Sequence, residues 1–119
     1  MIMNLKESLF AAAKTCVKSP VDVSDYMPDA KLFVKVISGT DLDFYIGTFK
    51  EARETNNWTR SRATLVAMSI VSESGEPLAS RDDIPAIADW NHLLLTRIFD
   101  EAFRLNKIGG DEAEQTEKN

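Results

Sequence analysis

The chain has 119 residues, 44% hydrophobic and 28% charged, which fits one soluble globular domain with room for a real core. A net charge of −5 with scattered Lys and Arg argues against nucleic acid, which is bound through clustered cations. A single cysteine, Cys16, excludes an internal disulfide and fits a reducing cytoplasm, and no apolar run approaches the ~20 residues that cross a membrane.

Leu5, Leu9, Ala12, Ala13 and Cys16 recur at three- and four-residue spacing and predict an amphipathic helix over about residues 4 to 17. Lys6, Glu7 and Lys14 interrupt its apolar pattern, so it is no signal-peptide core. Ser19-Pro20 ends it, because proline disfavours a helical residue before it. Val21-Asp22-Val23 alternates, Asp25 to Asp29 reads as a turn, and Leu32 to Ile37 alternates again with β-branched residues. The two runs predict a small antiparallel hairpin.

After the Ser38-Gly39 break, Thr40 with Asp43 resembles a capping box for a helix whose stripe is Leu42, Tyr45, Ile46, Phe49 and Ala52. Gly47 inside it costs about 1 kcal/mol relative to alanine, and Asn56-Asn57 closes it. Residues 63–72 admit either a helix or a strand. Their alanine, leucine and methionine favour a helix from near Trp58 that turns extended near Ile70. The Arg60/Arg62 pair lies on its solvated edge. In "SESGEP", Gly75 is free to take a positive φ, and Leu78 is the return step. Ser80, Asp82 and Asp83 are all possible N-caps, with Asp82 or Asp83 favoured, for a short helix through Trp90 with Pro85 in its first turn. Leu94, Leu95, Ile98, Phe99, Ala102, Phe103 and Leu105 form the last helix, supported by an Asp100–Arg104 pair and stopped at Gly109. Residues 109–119 are polar and acidic and read as a disordered tail. The fold class is therefore α+β, mainly α, with four to five helices, a small N-terminal β-hairpin and one globular domain over residues 1–108.

Little in this pattern suggests chemistry. Cys16 and His92 are too few for a zinc site, which needs about four clustered ligands. Asp41/Asp43 and Asp82/Asp83 sit at helix starts, where capping and the helix dipole attract carboxylates without any catalytic role. No phosphate loop, nucleophile elbow or dinucleotide fingerprint occurs. No catalytic residue, metal or cofactor is expected. Trp58 and Trp90, at helix ends, are core fillers or interface anchors. The first helix, with Leu5, Leu9 and Phe10, either packs on the domain or, as residues 1–18, forms an oligomer contact. These five residues are the candidate protein-interaction residues.

Three stretches in order resemble the tail assembly chaperones of long-tailed bacteriophages and prophages. "VDVSDYMPDAKLFVKVISGTDLDFY" is similar to that family's opening strands and capped helix. "RSRATLVAMSIVSESGEPLAS" is similar to its Arg-rich start, apolar run and acidic Gly turn. "RDDIPAIADWNHLLLTRIFDEAFRLNKIG" resembles its closing helix ending in Arg-Leu-Asn. The long turn at residues 24–30, with Met27-Pro28, and Pro85 depart from the pattern. The resemblance implies a non-enzyme of the bacterial host cytoplasm that self-associates and binds the tape measure protein, with the tail tube protein as a further candidate partner. It also implies that the chaperone is absent from the finished particle, and that a longer frameshifted product often accompanies it. A structural head–tail or tail-terminator component is the alternative. Neither nucleic acid nor membrane is an expected partner.

Overall fold

Where the chain leaves its first helix, Val17 begins an antiparallel ladder: its carbonyl accepts from the Val36 amide at 2.8 Å. The structure is a computed structural model that describes residues 4–107. Its elements are α1 (Leu5–Ala13), β1 (Lys18–Val21), β2 (Leu32–Lys35), α2 (Gly39–Gly47), α3 (Phe49–Thr55), α4 (Thr59–Ser69), β3 (Ile70–Val71), a 3-10 turn at Arg81–Asp83, α5 (Ile84–Ala88) and α6 (His92–Asn106). The fold is α+β and mainly α, as the sequence pattern predicts. The stop at Gly109 and the tail over residues 109–119 lie outside the described residues.

The sheet has the order β1-β2-β3, antiparallel throughout, so the expected hairpin gains a third strand. Its register pairs Lys18 with Lys35, Ser19 with Val34, Pro20 with Phe33 and Val21 with Leu32. Alternation then sends Val21, Leu32, Val34 and Ile70 to one face, where all are buried. Pro20 belongs to β1 instead of ending a helix. Counting from the bonded Val17–Val36 pair, its missing N–H falls on the free edge, where no ladder bond is lost. Such an edge resists further strand addition.

Core-side packing centres on α4, which lies against α2, α3, α5, α6 and β2. A helix enclosed on most sides has no polar face, and every residue from Ala63 to Ile70 is buried. Its buried hydroxyls are satisfied locally: Thr64 donates to the Arg60 carbonyl at 2.7 Å, Ser69 donates to the Leu65 carbonyl, and Ser61 pairs with Thr48 at 2.6 Å. Leu95, Ile98 and Ala102 of α6 complete the core, with Leu94, Phe99 and Leu105 half-buried beside them.

Several local expectations shift. The first helix stops at Ala13, short of Cys16. The cap of α2 is Ser38, whose hydroxyl accepts from the Asp41 amide at 3.1 Å, so the cap lies two residues before Thr40 and the helix begins at Gly39. The expected single helix over residues 40–55 breaks at Thr48 into α2 and α3. Asn56 closes α3 with φ 53°, and Gly75 takes φ 90°, both where the sequence places them. Asp83 holds the N-cap position of α5, with no cap bond from its side chain to that helix, and Ser80 caps the 3-10 turn that precedes it. The Ser80 hydroxyl accepts from the Asp82 amide, while Asp83 returns a carboxylate to the Ser80 N–H at 2.9 Å. Arg104 pairs with Glu101, not Asp100, because Glu101 also accepts from Ser19 of β1 at 2.8 Å and so faces the sheet.

Candidate interaction surfaces

Leu5, Leu9 and Phe10 all stand on α1, and the helix buries none of its nine residues. Leu5 is 85% exposed, and Leu9 and Phe10 are each more than half exposed. Leu5 and Leu9 are one turn apart and share a face. Lys6 sets its ammonium 5.7 Å from the Phe10 ring centroid, which shields one side of that ring. The helix owes its start to Asn4, which accepts from the Glu7 amide at 2.8 Å. A nine-residue helix lies below the ~12–15 residues at which an isolated helix becomes stable in water, and α1 buries none of its residues in the described chain.

The tryptophans differ from this helix and from each other. Trp58, half-buried at the start of α4, meets Phe49 edge-on at 5.6 Å, and Phe49 meets Tyr45 at 4.9 Å. This stack ties the α2–α3 break to α4. Trp90, also half-buried, lies between α5 and α6 and packs on the main core. Each therefore has a packing duty, with the remainder of its surface open. The five candidate residues fall in three places: α1, the Tyr45–Phe49–Trp58 stack, and the α5–α6 junction.

Other exposed apolar side chains escaped the sequence reading. Leu93 is 60% exposed at the start of α6, and its phase explains why: it lies off the stripe carried by Leu94, Leu95 and Ile98. Ile46, expected on the inner stripe of α2, is exposed, while Tyr45 beside it is the residue that α2 buries. Leu78 extends β3 by donating its amide to the Ile70 carbonyl at 3.1 Å, and its side chain faces out.

Polar residues near these surfaces fasten elements together. Arg97 of α6 donates to the Asp22 carbonyl at 3.1 Å and to the Asp25 carboxylate at 3.2 Å, latching the β1–β2 loop. Arg81 covers the Phe44 ring at 3.9 Å and meets Asp41 at 3.2 Å, so that carboxylate has a structural partner. Hydrogen bonds from the Ser24 hydroxyl and amide hold the Asp22 carboxyl below its ordinary value, and a hydrogen bond from Arg104 does the same for Glu101. Cys16 is exposed, with its sulfur 3.4 Å from where a Cβ on Gly75 would sit. No cluster of three or more metal-ligating side chains occurs among the described residues, and none of their helices is long and apolar enough to cross a membrane.

The Arg-Leu-Asn ending of α6 acquires a physical meaning here. Arg104 binds Glu101, and Leu105 lies against the core. Asn106 accepts from the Ile37 amide at 2.9 Å and donates to the Lys35 carbonyl at 3.2 Å. Both backbone groups point to the β3 side of β2, where β3 is only two residues long. One side-chain amide thus stands in for missing strand.

The described fold is a three-stranded antiparallel sheet backed by a buried α4 and a closing α6, with an exposed leading helix. The solved structure of the bacteriophage HK97 tail assembly chaperone has this fold: it superposes with a TM-score of 0.66 over 83% of this chain and 97% of that one, at 13% sequence identity. No family model matches the sequence, and no curated protein matches it.

Proposed function

We propose that this chain is a tail assembly chaperone of a long-tailed bacteriophage or prophage. In this reading it is a non-enzyme of the bacterial host cytoplasm that self-associates and keeps the tape measure protein soluble during tail assembly. It leaves before the particle is complete. The observation that carries the reading is the shared fold with the HK97 tail assembly chaperone, over nearly the whole of that protein. The state of α1 supports self-association, because an amphipathic helix with Leu5, Leu9 and Phe10 in solvent gains most from a neighbouring copy. A net charge of −5 limits unspecific clumping while such surface is open. Trp58 and Trp90 offer partly open aromatic surface for a second contact.

Size-exclusion chromatography with light scattering tests the self-association. The intact chain is expected as a multimer, and Leu9→Glu with Phe10→Glu is expected to shift it to monomer while it stays folded. An intact chain that is strictly monomeric at high concentration contradicts the reading. Detection of the protein in purified particles would instead favour a structural head–tail or tail-terminator component.

A further inference from the structure

The sheet is closed at both of its free edges, and by the same device. Beyond β3, residues 76–78 run antiparallel to it: the Leu78 amide donates to the Ile70 carbonyl at 3.1 Å, the Ser72 amide donates to the Glu76 carbonyl at 2.9 Å, and Pro77 stands opposite Val71 between them. With ladder bonds on either side of it, the backbone of Pro77 faces outward, and proline has no N–H to offer there. At the other edge the Val36 amide bonds Val17, so alternation turns Ser19 and Val21 toward β2, and Lys18 and Pro20 outward. Pro20 is therefore the counterpart of Pro77 across the sheet. Two of the chain's four prolines thus sit at the centre of an edge, whereas Pro28 lies in the β1–β2 loop and blocks neither.

Groups beside each proline are already bonded. The Asp22 carbonyl accepts from Arg97 at 3.1 Å, and between Lys18 and Asp22 the one outward backbone group is the Pro20 carbonyl. On the far edge the Glu76 amide donates to the Ser72 hydroxyl at 3.2 Å, and the Gly75 amide to the Ser72 carbonyl at 2.9 Å. An added strand needs donors and acceptors in alternation, and it would meet a bare carbonyl at the centre of either edge. Apolar side chains there would otherwise favour addition: Leu78 is 53% exposed on one edge, and Val17 is 51% exposed at the head of the other. Apart from the Lys18 charge, the block lies in the backbone.

We propose that Pro20 and Pro77 guard the two edges of the sheet: together they keep it from taking up a strand of another copy, and so leave association to the helical surfaces. Removing one guard opens one edge, which is enough to join two copies. Removing both lets each copy join two neighbours, and growth then has no natural end. The inference does not depend on the assembly role.

Light scattering after size exclusion tests it, with Pro20→Val, Pro77→Val and the double variant made in the Leu9→Glu, Phe10→Glu chain, so that α1 contacts are weakened in all of them. Valine suits a strand and restores the amide. Each single variant is expected at about two-fold the mass of this parent, and the double variant at about ten-fold or more, rising with concentration. Pro28→Val, which alters no edge, is expected at the parent's mass. The amide supplied at position 20 is expected to exchange several-fold more slowly in the associated form than after dilution to the parent's mass. Circular dichroism matching the parent shows that a variant is folded, and the single variants carry the test if the double one is not. Parent-like mass in the folded edge variants overturns the proposal. An equal rise in Pro28→Val overturns it too, by tracing association to lost chain rigidity, as does a position-20 amide that association leaves unprotected.

Discussion

Asn106 closes a gap that the backbone leaves open. Because β3 ends at Val71 in one direction and becomes helix α4 in the other, Lys35 and Ile37 have no strand to pair with on that side. Replacing Asn106 with alanine orphans an amide and a carbonyl at once, and is expected to cost about 1–3 kcal/mol in urea unfolding followed by tryptophan fluorescence. Faster hydrogen exchange at the Ile37 amide would locate the loss, and unchanged stability would show that water replaces the side chain. Tyr45 makes a second residue-level prediction. Burial pushes its phenol up from 10.0 to about 12, with the Arg62 charge opposing. The unfolded chain therefore releases this proton first, so the stabilisation is intact below pH 10.0 and is lost as pH rises through about 12. Tyr45→Phe is expected to flatten the alkaline fall in unfolding free energy. An unaltered slope would assign that fall to other groups. Glu101 gives the acid counterpart: its carboxyl is held below the ordinary 4.5, so its contribution is full above that value and is lost as pH falls through the lowered one.

Among the elements, α6 was the most legible, because a long apolar stripe reports a buried helix whatever surrounds it. The helix-or-strand ambiguity of residues 63–72 was real: the segment is helix to Ser69 and strand at Ile70–Val71. That two-residue strand exists only because β2 is there to pair with it, which no local pattern can encode. The cap of α2 was misplaced because Ser38-Asp41 and Thr40-Asp43 carry the same spacing, and the choice between them depends on how β2 exits. Likewise Arg104 had two acidic neighbours, and contact with Ser19, far away in sequence, selected Glu101. For the candidate surfaces, sequence showed that α1 is amphipathic but not that its apolar face is unpacked. Deleting residues up to Ala13 is expected to leave the unfolding midpoint of the remaining domain nearly unchanged at a concentration where it is monomeric; a marked fall would mean that α1 packs on the domain after all. The turn at Gly75 is more demanding. Its φ of 90° and the nearby Cys16 sulfur make Gly75→Ala cost about 1–3 kcal/mol, measurable by thermal unfolding.

At the scale of the whole molecule, the described residues form a buried central helix, a short sheet with a proline-blunted edge and an exposed leading helix. The fold is shared with the HK97 tail assembly chaperone at an identity of only 13%, because burial pattern and turn chemistry tolerate wide sequence change. Binding surfaces drift faster than folds, so function is tested on the partner. The most direct measurement is the soluble yield of the tape measure protein that the proposed role assigns to this chain, expressed alone and together with it. The account predicts that the yield rises on co-expression and that the two proteins co-purify, with the gain reduced by Leu9→Glu and Phe10→Glu. An unchanged yield with no co-purification would contradict it.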